Sequence, residues 1–418
     1  MAEEFVPSPE YTARAKRLQD ALELRQPDRI PIVLWFGLFL ADYAGITRQE
    51  LYENPEKAHE ILEEVAMKYQ PDAYSGVRLT PEPSKILGDR MTKWPGHGLG
   101  PQGSFQFDEH EFMKAEDYDA FLNDPTDFAI RTYLPRAFEE LEGLAMLPSL
   151  GMSLFGYYSI GNTTALLAEP VVEALEALTK AAKATTKFNQ QMATSTQKMA
   201  ELGFPGSSFR AGALLEAPFD FMSDTLRGMR GIFLDMMRIP DKLLEAEQRV
   251  LKIQVDHAIA FSQATGLKGA FIPLHRGSDG FMSLAQFEKF YWPQLKDMLC
   301  QLVDAGIRPF VFYEGVWDQR LEYLAELPRG KTIGEFQDSD IFKVKEIVGD
   351  TMCIFGGMPI PLLKNGTPEE IRARTKEVCE RAGKDGGFIM APSVMELEGI
   401  KPENIQVWVD ATKEFGVY

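Results

Sequence analysis

Cysteine is scarce in this chain of 418 residues: Cys300, Cys353 and Cys379 are its only three. They are too few and too scattered for a disulfide framework or a thiolate metal cluster, so a reducing compartment, the cytoplasm, is expected. Long apolar runs are missing as well, and none approaches the roughly 18 residues of a membrane span. The opening Met1-Ala2-Glu3-Glu4-Phe5 lacks the basic-then-apolar order of a secretory leader. Basic residues are outnumbered, 44 Lys and Arg against 62 Asp and Glu, for a net charge of −18. Nucleic acid and anionic membranes would repel such a surface. No GxGxxG or GxxxxGKS/T follows any apolar run, so the usual nucleotide cradles are absent. Internal repeats and low-complexity tracts are absent too.

What is present is the composition of an ordinary globular enzyme, 45% hydrophobic and 25% charged, long enough to bury a full core. Residues 269–318 organise the reading. The apolar run Gly269 to Leu274 stops at His275-Arg276-Gly277-Ser278-Asp279-Gly280. Ser283 and Gln286 form a capping box that starts a helix running to about Asp304. Gly306 ends that helix, and Arg308-Pro-Phe-Val-Phe-Tyr313 enters a second strand that stops at Glu314-Gly315. Further strands are expected near residues 31, 73 (Asp72 to Leu79), 209, 332, 351 and 387. Helices fall between most of them, including one over 132–143. Eight strands alternating with helices predict an α/β fold, a single (β/α)8 TIM barrel over 1–418, in preference to an open doubly wound sheet. An N-terminal helix precedes the barrel. Residues 80–130, rich in Pro and Gly, read as an inserted excursion or lid.

In such a barrel the chemistry sits at the carboxyl ends of the strands. Those ends carry Trp35, Arg78, Glu216, His275, Arg276, Asp279, Tyr313, Glu314, Gln337, Asp338, Met358, Ser393 and Glu396. His275 and Glu314 end consecutive strands and suit either zinc ligation or an acid/base pair. Tyr313 and Asp279 stand beside them as further catalytic candidates, although Asp279, next to two glycines, also fits a turn. Trp35, Arg78, Glu216, Arg276, Gln337 and Met358 are the substrate-binding candidates. Arg276 and Arg78 could each grip a carboxylate or phenolate through two hydrogen bonds. Tyr157, Tyr158, Tyr291, Trp292 and Trp317 suggest aromatic walls. His59 and His257 read as structural, on helix surfaces.

Several segments together resemble the uroporphyrinogen decarboxylase superfamily, which includes zinc- and corrinoid-linked methyltransferases. They are Arg25-Gln-Pro-Asp-Arg-Ile-Pro-Ile, Glu216-Ala-Pro-Phe, Arg238-Ile-Pro-Asp-Lys-Leu-Leu, Phe287 to Pro293, Phe355-Gly-Gly-Met-Pro, Gly386-Gly-Phe-Ile-Met-Ala-Pro-Ser and Lys401-Pro-Glu-Asn-Ile. The resemblance implies one (β/α)8 barrel and a homodimer through the barrel mouth. Two departures shape the functional expectation. Where true decarboxylases carry an Arg-Gln-Ala-Gly-Arg-Tyr loop, this chain has Trp35-Phe-Gly-Leu-Phe-Leu40, which cannot grip several carboxylates. Where the thiol methyltransferases place His-x-Cys, it has Phe312-Tyr313-Glu314, with Glu314 at the ligand cysteine's position. The implied activity is methyl transfer from a small methoxylated or methylated compound to a corrinoid on a separate protein, with zinc held by His275 and Glu314. The alternatives are a cofactor-free carboxy-lyase and a non-catalytic ligand- or corrinoid-binding barrel.

Overall fold

A computed structural model describes residues 5–149, 156, 164–207, 209, 211–394 and 397–418. Tyr157, Tyr158 and Glu396, among the residues singled out above, lie outside the described residues, as does much of the apolar segment after Ala145. The helix Pro9–Leu22 starts where its signals place it: Ser8 accepts the Tyr11 amide and proline occupies the first turn. Strands β1 (Val33–Trp35) and β2 (Ala73–Ser75) follow, with the helix Pro55–Tyr69 between them. Three short strands, β3 (Thr92–Pro95), β4 (Gly98–Leu99) and β5 (Gln106–Phe107), occupy the expected excursion. Then come β6 (Gly212–Leu214), β7 (Gly269–Leu274), β8 (Arg308–Tyr313), β9 (Ile333–Phe336), β10 (Cys353–Met358) and β11 (Phe388–Pro392).

Strands β6 to β11 form one parallel sheet in chain order, and β1 pairs with β2 in parallel. Single parallel bridges, Ile32 to Met390 and Tyr74 to Gly206, link that pair to the chain at the two edges of the six-stranded sheet. The Met390 amide bonds the Pro31 carbonyl at 2.9 Å. Side chains at alternating positions meet in one buried cluster containing Trp35, Phe209, Phe310, Phe355, Ile389 and Ala391. Trp35 stacks on Phe355 with centroids 6.3 Å apart, and its indole N–H donates to Glu335 at 3.0 Å. Strands β1, β2 and β8 to β11 thus turn residues toward this cluster, with Phe271 of β7 packed against it, in keeping with the two-residue period.

Two elements depart from expectation for identifiable reasons. The strand expected over 72–79 stops at Ser75. Its last rung is the Phe36 amide on the Ser75 carbonyl, after which Gly37, at φ 42°, turns the partner away. The helix expected over 132–143 breaks at Phe138, which is extended at φ −131° and ψ 126°. There Phe138 bridges to Asp89, and the Glu139 amide bonds the Gly88 carbonyl at 3.0 Å, so pairing with the excursion overrides local helix preference.

The excursion itself is fastened down. The Tyr118 hydroxyl donates to Asp235 at 2.8 Å, and Arg227, almost wholly buried, bonds Asp235, Glu111 and the Met113 carbonyl. At the amino-terminal end of the first two strands, the fully buried Asp72 accepts from Arg17 (2.5 Å), Arg29 (2.7 and 2.9 Å) and the Ile32 amide (2.8 Å). Removing one partner of such a buried set leaves the other charges uncompensated. Asp72→Ala is therefore expected to destabilise the chain by about 3 kcal/mol. The urea midpoint at pH 7 measures this, and a midpoint equal to wild type would refute it.

Candidate active site

After β6 the chain turns through Glu216-Ala217-Pro218 into one α-helical turn, Pro218–Asp220, and then a π-helical stretch, Phe221–Arg227. Proline at the first helical position needs no amide partner, so it favours the turn. This short segment carries Asp220 and Asp224 toward the end of β7. The fully buried Asp220 accepts the amides of His275 (2.9 Å) and Arg276 (3.1 Å) and the hydroxyl of Tyr291 (2.7 Å). Its carboxylate therefore fixes the backbone where β7 stops. Asp224 then takes the side chains of the same two residues: His275 Nδ1 at 2.5 Å and Arg276 Nε at 2.9 Å.

The register of β7 and β8 pairs Leu274 with Tyr313. The next residues, His275 and Glu314, consequently emerge side by side, with Nε2 3.6 Å from Oε1. The result is an Asp224–His275–Glu314 line at the strand ends. The loops behind it are locked by Arg320, which is almost wholly buried and bonds the Gly277 carbonyl (3.0 Å), Asp279 (2.6 Å) and the Met282 carbonyl (2.6 Å).

Charge states follow from this packing. Burial lowers the His275 pKa, but the Asp224 hydrogen bond and the nearby Asp220, Asp224 and Glu314 outweigh it, raising the value to about 9. Burial raises Asp224 as well, yet His275 and Arg276 overcome that and hold it below the usual carboxylate range. Glu216 is pushed up to about 7 by burial and by Asp224, and Asp220 to about 6 by burial and by Asp224. Burial also raises Glu314, with His275 opposing. At neutral pH the site is thus an imidazolium held by an ionised Asp224 on one nitrogen and facing Glu314 with the other.

The other sequence candidates divide clearly. Glu216 joins this cluster electrostatically, and its backbone is held by Gln254 through bonds of 2.7 and 2.8 Å. Arg276 points inward to Asp224 and to Glu109 of the excursion, with its guanidinium over the Phe281 ring. Trp35 and Met358 are fully buried, so neither has a face left for a ligand: both turn into the core. Asp279 is a loop anchor, bonded to Arg320 and to the Gln319 amide at 3.0 Å. Gln337 accepts the Gly315 amide at 3.2 Å, and Ser393 is buried against the Met358 carbonyl. Tyr313 is fully buried between Phe336 and Trp317, and its hydroxyl has no hydrogen-bond partner among the described residues. Tyr291 and Trp317 buttress the site from behind. His59, read as a surface histidine, is instead buried against Ser195 where two helices meet. Arg78 lines a separate cavity.

Asp220, Asp224, Glu109 and Glu247 were not anticipated. A signal existed for two of them: Glu216, Asp220 and Asp224 recur every fourth residue directly after a strand, the spacing that places side chains on one helical face. For metal binding, His275 Nε2 and Glu314 are the donors on offer. A histidine whose other nitrogen meets a carboxylate is the usual partner arrangement of a ligating imidazole. Among the described residues, however, no three His, Cys, Asp or Glu groups are arranged so that they could hold one metal ion, which leaves this pair one short of an ordinary catalytic zinc set. A metal would also have to displace the proton that His275 holds. Among the described residues no helix is long and apolar enough to cross a membrane.

The cluster stands at the carboxyl edge of a parallel α/β scaffold, the edge at which such folds carry their functional residues. The pattern of the uroporphyrinogen decarboxylase (URO-D) family matches residues 145–415, and the chain belongs to that family. A 115-residue stretch is 27% identical to the uroporphyrinogen decarboxylase of Methylococcus capsulatus; it covers 28% of this chain and 32% of that protein's length. A solved methyltransferase from Methanosarcina mazei superposes with a TM-score of 0.58 at 19% identity, covering 96% of this chain and 98% of that one. At that identity the likeness speaks for the fold alone.

Behind Asp220, the helix Pro240–Thr265 presents Glu247, fully buried, with both carboxyl oxygens lacking hydrogen-bond partners among the described residues. Burial, and then the proximity of Asp220, push its pKa well above the ordinary value of 4.5. The native state therefore keeps a proton that the unfolded chain releases above that value. Stability is lost as pH rises from there toward the native pKa, by up to about 1.4 kcal/mol per unit. Glu247→Gln should match wild type near pH 4 and exceed it by a margin that widens toward pH 8 in urea titrations. A margin independent of pH would contradict the neutral-acid assignment.

Proposed function

We propose that this protein is a methyltransferase that moves a methyl group from a small methoxylated or methylated compound to a corrinoid protein, on a closed (β/α)8 barrel. The closed-barrel reading is supported by the two single bridges at the sheet edges and by the cluster that alternate strand residues share. The observation that carries the functional reading is the Asp224–His275–Glu314 line, with a protonated imidazole at its centre. A reduced corrinoid on its separate protein would supply the nucleophile that receives the methyl group. This chain's residues serve the other half of the reaction. The bond broken joins methyl to oxygen or nitrogen, and its electron pair stays on that heteroatom, a poor leaving group unless protonated. His275 Nε2 gives the proton. Asp224 fixes the ring through Nδ1 and steadies its positive charge. Glu314 faces the same nitrogen and orients the donor beside it. Arg276, whose guanidinium holds Asp224 and Glu109, acts by positioning Asp224.

The loop after β1 supports this reading over decarboxylation, because Trp35, Phe36, Leu38 and Phe39 are all buried and offer no grip for carboxylates. Zinc at His275 and Glu314 is the alternative to a proton on Nε2, since that nitrogen cannot hold both. Elemental analysis of tag-free protein should find near-stoichiometric zinc, lost in His275→Ala and Glu314→Ala, if metal assists the leaving group. Zinc-free protein that still demethylates would leave His275 as the acid.

Assayed for demethylation with a corrinoid acceptor, Glu314→Gln and His275→Gln should lose about 100-fold or more in turnover while remaining folded. The kcat/KM profile should fall as pH rises through about 9, where His275 loses its proton. Asp224→Asn removes the main support for that proton, so its alkaline limb should shift toward neutral pH. Full turnover in both first variants, or release of CO2 in place of a demethylated product, would overturn the proposal.

A further inference from the structure

Beside β2 and the helices Pro55–Tyr69 and Glu169–Glu201 lies a cavity of about 460 Å³, within the usual range for a small-molecule site. Its described lining contains neither His275 nor Glu314, nor any of the acids around them. Leu62, Val77, Phe188 and Met192 supply apolar walls. Its described lining holds no Asp, Glu or Lys, in a chain with 62 Asp and Glu. The one permanently charged group in this described lining is Arg78, in the loop after β2.

Arg78 differs from the other arginines near the core. Arg17, Arg29, Arg227, Arg276 and Arg320 each hold a carboxylate at ion-pair distance. Arg78 has no such partner among the described residues. Arg78 lines the cavity and is exposed, yet the surrounding protein lowers its pKa by desolvation, with no neighbouring charge among the described residues to offset the effect. Among the described residues, then, this cation has no counterion. His59 lines the same space, but Ser195 binds its Nδ1 and Glu63 lies 2.6 Å from Nε2. Burial lowers the His59 pKa, so it adds no second fixed positive charge.

We infer that this cavity is a second binding site, separate from the His275 cluster, for a small apolar monocarboxylate whose carboxylate pairs with Arg78. A guanidinium matches a carboxylate through two parallel hydrogen bonds, and one cation neutralises one such group. A polyanion would leave charge uncompensated against apolar walls. The ligand's hydrocarbon or aryl body lies along Leu62, Phe188 and Met192.

Isothermal titration of the full chain with 4-phenylbutyrate, and with its neutral amide, tests this directly. Wild type should bind the acid and should bind the amide about tenfold more weakly or less. Arg78→Gln should lose about tenfold or more for the acid at an unchanged melting temperature. Met192→Trp, which fills the cavity, should abolish binding of the acid. Glu314→Gln should bind it as wild type does, so the outcome stands apart from the methyl-transfer proposal. No binding at millimolar probe, equal affinity for acid and amide, or undiminished binding in Arg78→Gln or Met192→Trp would each overturn the inference.

Discussion

A carboxylate placed wholly out of water must be met by donors or be neutralised, and the end of β7 is built around meeting one. Asp220 takes the amides of His275 and Arg276 and the Tyr291 hydroxyl, three donors from two separate parts of the chain. With the backbone of those residues fixed, their side chains have one common destination, Asp224. The position of the imidazole and its positive charge both derive from this double grip. Glu314 then needs only the parallel register of β7 and β8 to arrive opposite the free nitrogen. The π-helical stretch that carries Asp224 fits the same logic, because such turns shift side-chain direction where a site requires it.

The acids behind the histidine are not equivalent. Asp224 is held below the usual carboxylate range, Asp220 and Glu216 are raised above it, and burial pushes Glu247 well above it. This gradation runs from the charged face of the imidazole into the core, and environment alone produces it from four carboxyl groups. The excursion enters the arrangement through Glu109, which reaches Arg276 and bonds the Met229 amide. Residues 80–130, irregular in sequence, therefore contribute a charge to the support of Asp224.

Much of the fold was legible because parallel strands buried on both faces read as apolar runs, and most of these runs stop at polar, glycine or proline residues. His275 and Glu314 were legible for the same reason, as the first chemistry past consecutive strands. Sequence position could not say whether a residue at a strand end turns inward or outward. Trp35 and Met358, both taken for site walls, face the core. Asp220 and Asp224 were passed over because neither stands at the end of a strand, although their four-residue spacing with Glu216 was visible. Glu247 is hidden more deeply: an acid in a long helix reads as solvated, and only the packing of Pro240–Thr265 against the strands makes it a core residue. His59 was misplaced on the same assumption.

The Arg320 fastening has an entropic consequence. One guanidinium joins the loop after β7, through Gly277, Asp279 and Met282, to its own loop after β8, while the Asp279 amide bonds the Val316 carbonyl at 2.7 Å. The two loops bearing His275 and Glu314 are thus splinted to each other before any ligand arrives. Their ordering cost falls on folding, where it is shared with the whole core, so any small ligand entering between the two side chains would meet groups with little disorder left to lose.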